Sequence, residues 1–369
     1  MAKNKLISLF LLWPVSVIYR GVMAIRNLLF DRNILPQHEF DIPVVVVGNI
    51  SMGGAGKTPH TEYIVESLKH KYHIGVLSRG YKRKTKGFVL ATPNSKPDDI
   101  GDEPYQIYKK FHRDGISLAV CENRVKGINK MREINPKLDM IVLDDAFQHR
   151  YVKPMVSVVL MESSRPAYKD HIFPLGRLRE PLSALNRADI IVVTKCPESM
   201  RPVDYMIFKQ DLDLWPYQHL LYSKYVYQNL VPVFNEDANG AITQLQWLTE
   251  QDTILVVAGV ANPKPFVKFL RKFKAKIKIK VFPDHHHFTN ADMEFILQKY
   301  QNMPGKHKII VTTEKDAVRM QNCPYFPHQL RACTYYLPIK VEFIPTVSEG
   351  SSLEQVIEQV ISQKTKIRT

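Results

Sequence analysis

From about residue 40 onward, runs of consecutive apolar residues alternate with amphipathic stretches. IPVVVVGN, HIGVLSRG, SLAVCEN, LDMIVLDD, VSVVLME and ADIIVVTK each read as a buried strand, and GFVLAT as a shorter one. Residues 59–70, DEPYQIYKKF and VKGINKMREI read as the helices between them. Continuous β-branched runs separated by helices predict a parallel sheet covered on both faces. The texture changes over 206–235, which is aromatic and locally alternating without a helical period, and reads as an irregular or antiparallel ribbon. Strand and helix patterns then resume. TILVVAGV, KIKIKVF, HKIIVTT and IKVEFIP read as strands; NPKPFVKFLRKF, ADMEFILQKY and LEQVIEQVISQ read as helices. The pattern divides the chain into an apolar amino-terminal helix (1–35), a large α/β domain (36–205), a ribbon linker (206–235) and a smaller α/β domain (236–369).

The amino terminus is distinctive. Residues 6–19, LISLFLLWPVSVIY, carry only Ser8 and Ser16 as polar residues and are flanked by Lys3, Lys5, Arg20 and Arg26. A secretory signal would need a small-residue cleavage site, and Tyr19-Arg20-Gly21 follows instead. A spanning helix needs about 20 apolar residues, and this run is shorter and holds Pro14. A helix lying in the bilayer interface fits better, with Trp13 and Tyr19 near headgroups and the cations facing phosphates. A helix packed on the protein's own core is the competing reading.

Charge narrows the partners without choosing one. The 369 residues hold 51 Lys and Arg against 36 Asp and Glu, a net charge of +15. Such a field suits nucleic acid, an anionic membrane surface or a phosphorylated substrate, or serves solubility alone. Cys121, Cys196, Cys323 and Cys333 form no CxxC pair, so a disulfide framework or zinc site has little support.

The stretch GNISMGGAGKTPH, residues 48–60, carries the chemistry. Gly56-Lys57-Thr58 completes G-x-x-x-x-G-K-[ST], with Ser51 in place of the first glycine. An apolar strand before it and a helix after it are the context that a phosphate loop requires. Gly53, Gly54 and Gly56 let the backbone of Ser51, Met52 and Ala55 turn its N–H groups toward phosphate oxygens. Lys57 supplies a point charge for the β- and γ-phosphates, and the Thr58 hydroxyl a ligand for Mg2+. Asp144-Asp145 ends a strand, as an acid pair that holds and orients the metal does. TKCP, 194–197, stands where [NT]KxD would read guanine, but Pro197 replaces the aspartate, which favours ATP. The fold class expected is therefore α/β: a P-loop NTPase-like parallel sheet plus a smaller α/β domain.

GNISMGGAGKTPH, LSRGYKRK, GDEPYQI, ENR, DDAFQH, GRLREP, FPDHH and TEKDAVR occur in that order from about residue 45 to 320. On these stretches the chain resembles the tetraacyldisaccharide 4′-kinase family of Gram-negative bacteria. The resemblance accounts for Ser51, since that family's loop also lacks the first glycine. One departure is Ala146, where the family usually has glycine. The resemblance implies MgATP-dependent phosphorylation of the 4′-hydroxyl of a tetraacylated glucosamine disaccharide 1-phosphate, at the cytoplasmic face of the inner membrane. It implies two α/β domains joined by a ribbon, and an amino-terminal helix docked on the bilayer. It also implies an Asp–His pair mapping onto Asp102 and His285; in that pair we expect Asp102 to accept the proton and His285 to orient or tune it. Arg79, Tyr81, Arg124 and Arg177 become candidates for the acceptor lipid, and Glu180 for the metal and nucleotide shell. Arg179 and the 82–86 KRKTK run read as solvated, and Thr313 and Asp316 of TEKDAVR either contact the adenine side or cap a helix. The expected partners are the lipid A disaccharide precursor and an anionic membrane surface, with no nucleic acid and a monomeric chain.

Two other classes share parts of this pattern. A soluble P-loop ATPase acting on nucleic acid would use the same loop and charge, but leaves residues 6–19 without a purpose. A silent membrane scaffold would not need Lys57, Thr58, Asp145 and Asp102 together.

Overall fold

The computed structural model describes residues 2–237, 244–284, 286–345 and 352–368. They form two compact units: Met1–Tyr225 with Val341–Thr369, and Val226–Lys340. In the first unit the strands are β1 (Val44–Gly48), β2 (Ile74–Ser78), β3 (Val89–Leu90), β4 (Ser117–Val120), β5 (Met140–Asp144), β6 (Val156–Glu162), β7 (Ile190–Thr194) and β8 (His219–Tyr227). The second unit contributes β9 (Val231–Pro232), β10 (Thr253–Ala258), β11 (Lys276–Val281), β12 (Lys308–Thr313) and β13 (Thr334–Leu337), and β14 (Ile339–Phe343) rejoins the first sheet.

The large sheet runs β14-β8-β7-β6-β1-β5-β2-β4-β3. Its pairs from β8 to β4 are parallel, and β3 is antiparallel to β4. β1 lies between β5 and β6, with Val45 opposite both Val142 and Val156. All five β1 residues are buried, as a β-branched run covered on both faces requires. Each such valine contributes about 1.5–3 kcal/mol by leaving water. The helix Lys57–Leu68 covers one side through Ile64, Val65 and Leu68. Because β1 and β5 are parallel neighbours with Val47 opposite Asp144, the phosphate loop and the acid pair leave the sheet at the same edge. Ligands of open α/β sheets bind at this kind of edge, outside the carboxyl ends of the strands.

Three features depart from the sequence reading. Residues 206–212 fall inside a helix, Pro202–Leu212, not in a ribbon. Pro202 occupies its first turn, the Arg201 N–H donates to Asp204 Oδ2, and Asp213 stops it at φ 45°. Its buried Phe208 and Leu212 recur at helical spacing, a signal that the surrounding aromatics obscure. Residues 219–227 then form β8, parallel to β7. The second departure is at the carboxyl end, where Val341–Thr369 belongs with the first unit rather than with residues 236–340. The helix Leu353–Arg368 is tied there through Glu354, whose Oε2 accepts from Tyr63 Oη at 2.9 Å, and Lys364, which donates to Asp189 at 2.5 Å. β13 was also not anticipated.

The sheet of the second unit runs β11-β10-β12-β13-β9, parallel except for β9. Apolar clusters fill both of its faces.

The helix Ala2–Asp31 is continuous through Pro14. One side is fixed to the first unit: Ser16 Oγ donates to Ile172 O at 2.8 Å, Tyr19 Oη to Arg179 O at 3.1 Å and Arg26 to Gln148 O at 2.7 Å. The other side leaves Trp13, Val15, Val17, Ile18, Val22 and Ile25 exposed. Among the described residues, no helix is long and apolar enough to cross a membrane.

Candidate active site

The loop after β1 is braced from three directions. The segment Arg177–Arg179 pairs with it: Met52 N–H donates to Arg177 O and Arg179 N–H to Ile50 O, both at 2.7 Å. Gln148 Nε2 donates to Asn49 O at 2.6 Å, and Asn49 Nδ2 to Ser51 O at 2.6 Å. From the end of β7, Thr194 Oγ1 donates to Ala55 O at 2.9 Å and Lys195 Nζ to Gly54 O. TKCP thus acts on the loop's backbone, a role that the comparison with guanine readers did not suggest. The Ala55 N–H donates to Gly53 O at 3.0 Å. With Met52 N–H also engaged, these two amides are held by the protein itself in this conformation.

Gly56 ends the loop at φ 90°, directly before the helix. A Cβ there would lie 1.9 Å from Tyr225 Oη. We therefore expect Gly56→Ala to cost about 1–3 kcal/mol of stability and more than about tenfold in ATP affinity. Thermal unfolding and calorimetric titration would measure both. Adding Tyr225→Phe should restore only the part due to the collision; full restoration would show that φ is unimportant. Inside the helix, the buried His60 bridges Gly56 O (Nδ1, 2.7 Å) and Ser223 Oγ (Nε2, 2.8 Å). Burial pulls its pKa down to about 4, so the ring is neutral at pH 7.

Lys57 Nζ stands 3.5 Å from Asp145 Oδ2, and Arg179 Nη1 3.7 Å from Asp145 Oδ1. Arg179 is thus not merely solvated. Asp145 sits at φ 48°, a sparsely populated position for a non-glycine residue, and such strain concentrates at functional sites. Its neighbour Ala146 is not among the positive-φ residues, so a methyl group is accommodated where the family usually has glycine. The close approach falls on Gly48 instead, where a Cβ would meet Phe147 Cβ at 2.5 Å.

Asp144 is buried and accepts from Thr61 Oγ1 at 3.1 Å. Burial first, then the Glu103 and Asp145 carboxylates, push its pKa up to about 7, against the pull of Lys57 and Thr61. Between about pH 4 and 7 the native state therefore keeps a proton that the unfolded chain has lost. Asp144 should accordingly subtract stability as pH rises through that window and level off above it. Relative to Asp144→Asn, the nucleotide-free protein should lose on the order of 3 kcal/mol across it, read by urea unfolding at a series of pH values. A constant difference would refute the shifted titration.

Arg124 is buried at the start of the helix Arg124–Ile134, where Asn123 caps the helix by accepting from Lys126 N at 3.0 Å. Its guanidinium donates to Cys121 O at 3.2 Å and Glu122 O at 3.1 Å. Burial and the Arg79 charge lower its pKa to about 10, which still leaves it cationic. Its N–H donates to His149 Nε2 at 3.3 Å, and burial holds that ring neutral, with its pKa lowered to about 4. Arg79, Tyr81 and Arg177 are exposed. In the 82–86 run, Arg83 is not solvated: its side chain is 3% exposed and reaches Gly87 O and Glu122.

Glu180 is fully buried under the amino-terminal helix. Its Oε2 accepts from Arg187 at 2.8 Å and from Asn27 at 3.1 Å, while Oε1 has no hydrogen-bond partner among the described residues. Asp102 opens the helix Asp102–Phe111 behind Gly101, φ 93°. His285 lies outside the described residues. The next histidine, His286, bonds Asp292 Oδ2 at 2.8 Å and stacks on Phe282. In TEKDAVR, Thr313 caps its helix, and the buried Asp316 binds Gly259 N at 2.8 Å and Arg319 at 2.9 Å, which favours the capping reading.

Sequence reasoning missed His60, Lys195 and Gln148. Each acts on a loop carbonyl or on a remote strand, contacts that no local motif encodes. For His60 the only available signal was its place in GKTPH.

A glycine-rich loop between a buried strand and a helix, a lysine at its end, and an acid pair on the adjacent parallel strand define a P-loop nucleotide-dependent enzyme. The family model for tetraacyldisaccharide-1-P 4′-kinase matches residues 8–361. The chain is 46% identical over 339 residues to a tetraacyldisaccharide 4′-kinase of Bacteroides thetaiotaomicron, covering 90% of this chain and 88% of that one. It is 42% identical to the corresponding protein of Phocaeicola vulgatus, over 92% of each. The crystal structure of Aquifex aeolicus LpxK in complex with ATP superposes with a TM-score of 0.71 at 25% identity, covering 96% of this chain and 98% of that one. The chain belongs to the tetraacyldisaccharide 4′-kinase family, and it is a kinase.

Proposed function

We propose that the loop 51–58 grips the phosphates of ATP while Asp102 takes the proton of the attacking sugar hydroxyl. As a member of its family the chain carries out ATP-dependent 4′-phosphorylation of the tetraacylated disaccharide 1-phosphate in lipid A biosynthesis. The nucleic-acid alternative is not favoured. The observation that carries the site assignment is Lys57 beside Asp145 at 3.5 Å, with Asp144 on the strand next to the loop.

The residue roles follow from chemistry. Lys57 neutralises charge that builds on the transferred phosphoryl group, and the glycines let backbone N–H groups approach it. Asp102 accepts the proton of the 4′-hydroxyl as the oxygen attacks in line, and His285 orients it. Arg79, Tyr81, Arg124 and Arg177 are assigned to the acceptor, where guanidinium forks suit phosphate and sugar oxygens.

The donor set fits Mg2+. Asp144 and Asp145 are neighbouring carboxylates, and Asp145 Oδ1 has no hydrogen-bond partner among the described residues. Among the described residues no three His, Cys, Asp or Glu side chains form a metal cage. Mg2+ is usually held by one or two carboxylates together with water and substrate phosphates. Thr58, Asp144 and Asp145 would hold it, with Glu180 as a further candidate. When bound, the metal would neutralise phosphate charge.

We further place the chain, as a monomer, on the cytoplasmic face of the inner membrane. The exposed apolar side of the amino-terminal helix would rest in the interface. Incubation with labelled ATP and the disaccharide 1-phosphate lipid should label the lipid. Label entering other acceptors but not the lipid would overturn the assignment.

A further inference from the structure

Residues 264–280 of the second unit hold eight Lys and Arg and no Asp or Glu. The helix Lys264–Leu270 and the turn after it expose Lys264, Lys268, Arg271, Lys272 and Lys274. Among the described residues β11 follows as the edge of its sheet, bonded only to β10. Alternation places Ile277 and Ile279 against the core and Lys276, Lys278 and Lys280 on the opposite face.

Lys264, Lys268, Arg271, Lys274, Lys276, Lys278 and Lys280 make no ion pair with the described residues. The carboxylates of the adjoining helix Asn290–Gln301 are otherwise engaged. Asp292 binds His286 and Thr289, and Glu294 accepts from Asn290 at 2.7 Å. Two exposed apolar side chains lie at this edge: Phe295, 44% exposed with Lys280 Nζ 4.3 Å from its ring centroid, and Val281, 46% exposed, on the Ile277/Ile279 face of β11.

Lysines on an edge strand guard against pairing with another sheet. That accounts for the three on β11 but not for the five cations that precede them. We infer that the β11 edge of the second unit, flanked by the cations of Lys264–Leu270 on one face of the sheet and the β11 lysines on the other, docks on an anionic bilayer, separately from the amino-terminal helix. Unpaired cations match a negative lipid surface, and exposed apolar side chains among them suit the headgroup region. The inference rests on the reading of the chain as a membrane-surface kinase.

The test is co-sedimentation of the full chain with phosphatidylcholine vesicles and with vesicles that are about one-third phosphatidylglycerol, at low and high salt. The variant Lys268→Gln/Lys274→Gln/Lys276→Gln/Lys278→Gln changes only side chains outside the proposed active site. It should keep its melting temperature and its activity on detergent-dispersed lipid. Its partitioning onto anionic vesicles at low salt should fall at least about tenfold. The pairs Lys268→Gln/Lys274→Gln and Lys276→Gln/Lys278→Gln should each give part of the loss. Trp13→Glu/Ile18→Glu, on the amino-terminal helix, should instead weaken binding to both vesicle types. Wild-type partitioning by the fourfold variant would overturn the inference and leave the amino-terminal reading standing. Loss of binding to a single-stranded oligonucleotide without loss of vesicle binding would also overturn it, in favour of nucleic acid. A wild-type chain that binds neither vesicle would remove both readings.

Discussion

Replacing Lys57 by Ala should lower kcat/KM by about 10²–10³, with most of the loss in kcat. The lysine is the cation of the loop, and its charge matters most when negative charge moves onto the transferred phosphoryl oxygens. Its removal also withdraws one of the two cations beside Asp145 and one of the groups that restrain the rise in the Asp144 pKa. Asp144 should therefore hold its proton to a higher pH in the variant, moving the acid limb of the pH–rate profile upward. Steady-state kinetics over a series of pH values would show both effects. An unchanged kcat with a raised KM would mean that Lys57 contributes to ground-state binding alone.

Asp102→Ala should leave the ATP dissociation constant within a few-fold of the wild type while lowering turnover by about 10²–10⁴. Asp102 is the first residue of its helix, where a carboxylate gains about 0.3–1 kcal/mol from the helix dipole. Thermal unfolding of the variant checks that the fold is kept, so that a kinetic defect reports on proton transfer. Calorimetry with a non-hydrolysable ATP analogue and a single-turnover assay separate binding from chemistry. Near-wild-type turnover would remove Asp102 from its assigned role.

Much of the central sheet was legible because its strands are short, continuous and β-branched, as in Val44–Val47 and Ile190–Val193. The phosphate loop and the acid pair were legible because both sit at strand ends, where spacing along the chain translates directly into position. The helix Pro202–Leu212 was less so, because its exposed side carries Val203, Met206 and Ile207 and blurs the amphipathic period. Arg83 was misread as solvated because burial of an arginine depends on partners far along the chain, here Glu122, and the approach of the part-exposed Arg179 to Asp145 was hidden for the same reason. The return of β14 to the first sheet was hidden because an apolar strand pattern does not name the sheet that it joins.

That return has a consequence for biosynthesis. The second unit is spliced into the first between Tyr225 and Val341. The ribosome therefore delivers β1 to β8, then an entire intervening unit, and only afterwards β14 and the helix Leu353–Arg368. Units tend to fold as they emerge, so the smaller one can be complete while the larger still lacks an edge strand. During that interval β8 presents an open edge, a template for wrong pairing. Stop codons placed after residue 338 should accordingly yield chains in which the smaller unit resists protease and the nucleotide-binding unit does not.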